Sequence, residues 1–478
     1  MKRRRVEAAD ADEPTVEQRM SLLVLRASQE AAAKSLSAVV ADALRLDCPS
    51  LALQCLFWPL PLKRLMRLWG RQPVLVQRSD GGGYFDGLLT SRRVEELLAA
   101  GELRYGLHVD VTRYSEAGRR TLNQGQQVAD AAEVRRLFHA GCSVRLLHPQ
   151  RWVDPLYDLL SVLERHFNAP VGCNAYWTPA GTQGFAPHYD DIDALVCQLE
   201  GSKRWRLYAP RSEEESLPRF SSPNFEAAQL GPPMAEVVLH PGDVLYMPRG
   251  LIHEAFSLPD HHSLHITIST GQRIAWIDLL ELAIPAALRE AAEEMPELRQ
   301  TLPRRFLDVM GAMHSDDERQ PLRASILAFA QRLMQRVVSV APLDAAADQI
   351  GAQFMRTRAR PPQPADAPPR LRASSRVRLA FAGAARLCIE GDEALVVHPF
   401  ANERGESMAG EEGGDEEEEE EDPAVLAFPL EAAPTLEALL RAYPQPVRLR
   451  DLPEEGEVDT MQVAERLLGA HVLTLVVQ

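Results

Sequence analysis

The chain has 478 residues, more than one hydrophobic core ordinarily holds, so roughly two to four domains are expected. At 45% hydrophobic and 25% charged it falls in the range of soluble globular chains. No apolar run reaches the roughly 18–20 residues of a membrane span, because the best candidate, near Ile274 to Leu288, is interrupted by Asp278 and Glu281. The basic start Met1-Lys2-Arg3-Arg4-Arg5 is followed by no apolar stretch, which argues against a secretory signal. It reads as a solvated end or part of a nuclear address. Cys48, Cys55, Cys142, Cys173, Cys197 and Cys388 form no C-x-x-C pair, so they read as buried small hydrophobes in a reducing compartment. Ten acidic residues between Glu411 and Asp422 account for most of the net charge of −16. Bulk charge therefore gives no sign of nucleic-acid binding.

In chain order, residues 1–48 form a variable extension with a helical stretch expected over Val16 to Leu46. An apolar segment follows, with a short helix from Leu62 and a strand at Pro73 to Val76, then a Gly81-Gly82-Gly83 turn. Residues 84 to 170 alternate helical and strand signals. From Val171 the pattern becomes short strands: Ala175 to Trp177, Ala194 to Leu199, Arg204 to Tyr208, Val237 to Leu239, Val244 to Tyr246 and Leu264 to Ser269. Turns such as Pro241-Gly242-Asp243 separate them. Many short strands at this spacing predict a barrel or jelly roll. Ile277, Leu280, Ile284 and Leu288, then Ile326, Phe329, Leu333 and Val337, recur at helical spacing and predict helices packed on the barrel or a dimerisation module. Pro285 would kink or divide the first helix. A Pro-rich linker covers 361–375. The segment 376–478 offers strands and helices of a small α+β unit, interrupted by an acidic loop at 405–424 that reads as disordered.

The informative segment is Gln183-Gly184-Phe185-Ala186-Pro187-His188-Tyr189-Asp190-Asp191. On a strand, His188 and Asp190 would face the same side. This is the H-x-D half of a two-histidine, one-carboxylate metal site. His253, after the turn Met247-Pro248-Arg249-Gly250, supplies the third ligand. Three ligands on one face suit iron(II) and leave room for a bidentate 2-oxo acid and dioxygen. A surface His–Asp pair is the plain alternative. Lys203, Trp205 and Leu207 share one face of their strand, and an inward lysine there would pair with a dicarboxylate; a snorkelling surface lysine is the alternative. His265, Thr267 and Ser269 share a polar face on the last strand, where Ser269 could donate to the same carboxylate and His265 could line the pocket. Asp191 faces away from Asp190 and would support the ligands rather than join them.

The stretches Asn174 to Tyr208, Pro241 to Tyr246, Pro248 to His253 and Ser263 to His265 resemble the ribosomal oxygenase family of JmjC proteins, nearest its nucleolar branch. The likeness runs from about Phe57 to the C-terminus and weakens after Ser374. It implies a mainly β catalytic core with α, a JmjC double-stranded β-helix (a cupin-like jelly roll) over 49–273. A helical dimerisation domain over 274–360 and a small winged-helix α+β domain over 376–478 would follow. It implies His188, Asp190 and His253 as iron ligands, Tyr176, Lys203 and Ser269 around 2-oxoglutarate, and Asn174 toward the substrate. The implied activity is hydroxylation of a histidine of a ribosomal protein, with iron(II), 2-oxoglutarate and dioxygen.

Histone lysine demethylation, through hydroxylation of an N-methyl group, is the first alternative, and a non-catalytic scaffold or reader is the second. A zinc-bound cupin of other chemistry is a further one. The expected partner is a basic protein, ribosomal or histone, which the net negative charge would attract. A homodimer is expected, direct nucleic-acid or membrane binding is not, and the implied location is nucleus or nucleolus, with cytoplasm as the alternative.

Overall fold

The structure is a computed structural model that describes residues 21–27, 34–78, 83–115, 118–123, 125–316, 320–361, 370–404, 422–453 and 458–476. Most of the acidic loop, most of the Pro-rich linker, Gly81 and Gly82 of the expected turn and residues 1–20 of the extension lie outside them.

Alternating side chains dictate a two-layer core. The larger sheet contains β1 (Leu23–Ala27), β2 (Val74–Arg78), β3 (Val109–Ser115), β4 (Gly118–Thr121), β5 (Ser143–Leu147), β6 (Val171–Thr178), β7 (Asp193–Glu200), β10 (Val244–Met247) and β12 (Ser263–Thr270). Their spatial order is β1-β2-β10-β7-β12-β6-β5-β3-β4. The smaller sheet is β11 (Ile252–Ser257), β8 (Lys203–Tyr208) and β9 (Ala235–Leu239), in that order. Pairing is antiparallel except between β1 and β2. The double-sheet jelly roll is the arrangement the strand spacing predicts.

Strand β2 shows why the sheets stack. Leu75 joins Val196 and Leu245 of the larger sheet and Trp205, Leu207 and Leu239 of the smaller one in an inter-sheet core. Its neighbours Val74 and Val76 point the other way, into a core shared with Leu53 and Leu56 of α2 (Ser50–Phe57) and Leu159 and Leu163 of α6 (Asp154–Phe167). A strand buried on both faces reads as a continuous apolar run, as Val74-Leu75-Val76 does. Before it come α1 (Leu36–Arg45) and, after α2, α3 (Leu62–Leu68); α4 (Ser91–Ala99) and α5 (Ala131–His139) lie between β2 and β5.

Three expectations are corrected. The helix over Val16 to Leu46 is not continuous: Leu23–Ala27 is a strand laid parallel on β2, and the helix begins only at Leu36, after its cap Ser35. A sheet edge offers Leu23 to Ala27 backbone partners that a solitary helix turn would not. Pro285 does not divide its helix, because α7 runs unbroken from Trp276 to Glu294. Finally, the stripe Ile277, Leu280 and Leu288 faces outward, 40% or more exposed, while Ala283, Ala287 and Ala291 are buried. Small residues there allow close packing with α8 (Pro321–Ser339), whose Val337 is buried against them. The helix α9 (Leu343–Thr357) follows.

The C-terminal unit has two three-stranded sheets: β17 (Val447–Arg448), β13 (Arg376–Leu379) and β18 (Leu473–Leu475), then β14 (Arg386–Glu390), β15 (Glu393–Val397) and β16 (Val425–Pro429). With α10 (Ala433–Arg441) and α11 (Thr460–Gly469) they close a core of their own around Val377, Val396, Leu436 and Leu467. A buried carboxyl joins the segment after α9 to the barrel. Glu164 on α6 accepts a 2.9 Å hydrogen bond from the Ala359 backbone N–H. Beside it Arg358 is buried over the rings of Phe354 and Phe381.

Burial pushes the Glu164 carboxyl up to about 7, against the pull of the Ala359 N–H and Arg358. The folded chain therefore holds this proton more tightly than the unfolded chain, whose value is the usual 4.5. The stabilisation is complete below pH 4.5 and is lost as pH rises through about 7. Glu164→Gln is permanently neutral and is expected to flatten the fall in melting temperature across that window. An unchanged slope in thermal unfolding would show that another group carries it.

Candidate active site

Between the two sheets lies a cavity of about 270 Å³, lined by His188, Asp190, Lys203, Trp205, His253 and His265, with Arg119, Arg145 and Tyr176 on one wall. The register builds it. On β8, Lys203, Trp205 and Leu207 are buried on one face, opposite Ser257, Ala255 and His253 of β11. Lys203 and His253 thus mark two levels of the same ladder, four residues or about 13 Å apart, with Trp205 between them.

His188 is not part of a regular strand. It forms an isolated antiparallel bridge with His253, with His253 N–H to His188 C=O at 2.8 Å and His188 N–H to His253 C=O at 3.2 Å. Residues directly opposite on such a ladder share a face, so both imidazoles project together, with ring centroids 4.6 Å apart. Asp190 follows, its carbonyl held by the Gly250 N–H at 3.0 Å. Gly250 has a φ of +87°, and a Cβ there would meet the Glu215 carbonyl at 2.7 Å, so the turn needs glycine.

Each imidazole has one nitrogen committed. His188 Nδ1 lies 2.8 Å from the Ala186 carbonyl and His253 Nδ1 lies 3.0 Å from the Leu251 carbonyl. Donation from Nδ1 leaves both Nε2 lone pairs free for a metal. The two Nε2 atoms sit 3.6 and 3.7 Å from the two Asp190 carboxylate oxygens. The potential ligand atoms of the three residues all lie within 4.8 Å of one another. Burial, then the neighbouring His188, depress the His253 imidazole to about 4, which keeps it neutral. Two imidazoles and one carboxylate on one side of an open cavity fit iron(II) with coordination positions to spare.

Lys203 is 5% exposed. Its ammonium has one hydrogen bond, 3.1 Å to Thr178 Oγ1, which in turn accepts from Ser143 Oγ at 3.2 Å. One bond to a neutral hydroxyl contributes about 1 kcal/mol, against several for desolvating an ion. Burial accordingly drives the lysine down to about 7. Thr178 has accepted from both neighbours, so its own proton remains available.

Tyr176 lines the cavity, its ring stacked on His265 and edge-on to Phe185. Asn174 itself does not line the cavity; it is half-buried, with Oδ1 unpartnered. Ser269 shares a strand face with His265 and Thr267, but it lies beyond Thr267 and outside the lining residues. Asp191 turns away to accept from Ser221 Oγ at 2.6 Å and Gln272 Nε2 at 3.1 Å. Sequence reasoning did not single out Arg145, Arg119 or Thr178. Arg145 pairs with Asp110, and Arg119 lies over the Phe185 ring at 4.3 Å. Two signals pointed to them: an arginine inside the apolar run Val144 to Leu147, and Thr178 two residues after Tyr176, hence on its face.

The depressed value of Lys203 means that the folded chain sheds this proton before the unfolded one does. The penalty is absent above pH 10.5 and complete below about 7. Lys203→Met should therefore stabilise the ligand-free protein at pH 7 by about 1–4 kcal/mol. A melting temperature that stays put or falls would show that the lysine is not held as a desolvated cation.

Residues 145–276 match the family model described as the JmjC domain. The chain is 41% identical to ribosomal oxygenase 1 of Gallus gallus, over 85% of this chain and 68% of that one. It is 38% identical to ribosomal oxygenase 1 of Danio rerio, over 84% and 74%. It is 37% identical to the bifunctional lysine-specific demethylase and histidyl-hydroxylase NO66 of Aedes aegypti, over 84% and 64%. Among solved structures, Escherichia coli ribosomal oxygenase YcfD aligns with a TM-score of 0.44 at 16% identity, covering 88% of this chain and 98% of that one.

Proposed function

This chain belongs to the ribosomal oxygenase family of JmjC proteins, and on that footing we propose that it is an iron(II)- and 2-oxoglutarate-dependent protein oxygenase that hydroxylates a histidine side chain of a ribosomal protein. The observation that carries this reading is the His188–His253 bridge, which turns two Nε2 lone pairs onto the Asp190 carboxylate.

In this reading His188, Asp190 and His253 hold the iron. Bound iron supplies the activation of dioxygen, coupled to oxidative decarboxylation of 2-oxoglutarate to succinate and carbon dioxide. The protein's own residues do the positioning. Lys203 neutralises the distal carboxylate of the co-substrate and regains the ion pair its burial denies it, while Thr178 donates its free proton. Trp205, backed by Leu207 in the inter-sheet core, keeps this side of the cavity dry, which strengthens both contacts. Tyr176, packed edge-on against Phe185 and stacked on His265, fixes the opposite wall. Asn174 remains assigned to the substrate, supported by the family resemblance and by its place opposite Thr267, which lines the cavity. The Ser269 assignment is corrected: Lys203 bonds Thr178, which pairs with Ser263, and Ser269 lies about 20 Å further along β12, too far to share that carboxylate.

The relatives named as bifunctional demethylases and histidyl-hydroxylases favour a second reading for the same site, removal of a methyl group from a histone lysine. Hydroxylation of the N-methyl carbon there would release formaldehyde. The substrate in either case is a basic protein that a net charge of −16 attracts. That charge opposes a nucleic-acid partner, and no helix among the described residues is long and apolar enough to cross a membrane.

We assign 49–273 to the catalytic barrel, 274–360 to a helical dimerisation unit and 376–478 to a winged-helix-like unit. Outward Trp276, Leu280, Leu288, Phe329 and Met334 support a homodimer. A ribosomal-protein substrate supports a nuclear or nucleolar location.

Purified protein with iron(II), ascorbate and 2-oxoglutarate should add one oxygen to a histidine in a panel of ribosomal-protein peptides, read by mass spectrometry. His188→Ala should reduce turnover by more than about 100-fold, and a chelator should abolish it. Methyl loss with formaldehyde from histone peptides would favour the second reading. No turnover and no uncoupled succinate would sink both.

A further inference from the structure

The cavity holds one more titratable side chain that neither ligates the metal nor pairs with Lys203. His265 on β12 is 2% exposed, lines the cavity and stands directly opposite Tyr176 of β6. Its ring lies flat on the Tyr176 phenol, with centroids 4.9 Å apart and planes within 5°. The Trp205 indole meets it edge-on at 5.4 Å. Two aromatic neighbours therefore fix the imidazole in plane and tilt. Yet Nδ1 is buried with no hydrogen-bond partner. Burying an unsatisfied polar atom costs about 1–3 kcal/mol, and phenylalanine would pack between Tyr176 and Trp205 without that cost. The imidazole is thus unexplained by packing.

Its chemistry identifies what it could meet. Burial, then Lys203, then His253 hold it well below the ordinary histidine range, so it is neutral, with one N–H and one lone pair. A buried orphan lone pair is tolerated better than a buried orphan N–H. The lone pair therefore belongs on Nδ1 and the proton on Nε2, which leaves Nε2–H as a donor for the cavity. It shares the cavity with Lys203 and with the metal-site His253. Those are the two ends between which a 2-oxo dicarboxylate would lie.

We propose that His265 is a co-substrate-binding residue, whose Nε2–H donates to a carboxylate oxygen of the dicarboxylate held at Lys203. This rests on the reading of the cavity as the 2-oxoglutarate site. The carboxylate then meets one cation, Lys203, and two neutral donors, Thr178 and His265. One negative charge is matched by one positive charge, while the added donors fix its orientation. A charged imidazole would place a second cation beside Lys203, so a neutral ring is the form that suits the site.

The test uses full-length protein loaded with manganese(II), without dioxygen, titrated with 2-oxoglutarate by calorimetry. His265→Phe keeps the stacked ring and removes the donor. It is expected to weaken 2-oxoglutarate binding by about tenfold to a hundredfold, with manganese affinity unchanged and the melting temperature of the ligand-free protein raised. His265→Gln, which restores an N–H, should recover part of the loss. In turnover, KM for 2-oxoglutarate should rise more than KM for the peptide. If His265→Phe binds within about twofold of wild type while Lys203→Met loses binding, the imidazole only packs and the proposal is overturned. If Lys203→Met and His188→Ala also bind normally, the cavity is not the co-substrate site, and the proposed function fails instead. Should His265→Phe not fold, wild-type protein with ¹⁵N-histidine and zinc(II) decides. The His265 Nε2–H resonance, assigned by its absence in His265→Gln, should move on adding 2-oxoglutarate; no movement overturns the proposal.

Discussion

The reciprocal pair of backbone hydrogen bonds between His188 and His253 is the constraint around which the site is organised. A single bridge does what a full strand would otherwise do. It brings the segment after Phe185 against β11, makes two histidines far apart in sequence into direct neighbours, and orients both side chains toward one face. The Nδ1 bonds to the Ala186 and Leu251 carbonyls then fix which nitrogen each ring presents. These carbonyls lie two residues before their own histidines, so each ligand is aimed by its own chain.

Part of the polar cost lies where the ligand goes. Some buried polar groups elsewhere in the barrel are satisfied: Asp243 accepts from the Arg78 and His240 backbone N–H groups, and Tyr246 donates to Asp193. In the cavity, Lys203 has a neutral partner only, and Trp205 Nε1 and His265 Nδ1 have none. Arg145, Tyr176 and His265 also form one cross-strand row over β5, β6 and β12, anchored at its far end by Asp110. A sheet that could have been apolar at this level carries a polar stripe, and the stabilising core is placed at the levels beside it.

Period-two alternation made the barrel legible. The inward face Lys203, Trp205, Leu207 could be read from the sequence because a strand offers only two faces, and the H-x-D spacing placed two ligands on one of them. The reading was right about convergence and wrong about the local structure, since His188 sits in a bridge and not a strand. What escaped was set by tertiary partners. Leu23 to Ala27 is apolar enough for either state, and the free edge of β2 decides it. The α7 stripe was legible as a pattern, but not its direction, because Ala283, Ala287 and Ala291 allow closer approach than the larger residues on the other side. Ser269 was placed on the correct face, but periodicity does not say how far along the strand the cavity extends. Arg145 needed knowledge of which strand lies beside β6.

The metal-site segment is clamped from two sides, and this connects distant parts of the chain. On one side is β11. On the other, Ser222 and Tyr189 exchange hydrogen bonds, Ser221 binds Asp191, and the Phe225 N–H reaches the Pro187 carbonyl at 2.8 Å. That second strap is itself fastened by Arg219, whose guanidinium spans Asp278 and Glu281 on α7. Exposed ion pairs add little stability, so the contribution of Arg219 is geometric. A planar donor fork fixes direction as well as distance. The helix that carries the outward apolar stripe therefore also holds the strap lying on the metal-site segment. Ser221 and Ser222 of that strap line the cavity, so a shift of α7 relative to the barrel would be felt at the cavity wall before it reached the ligands themselves.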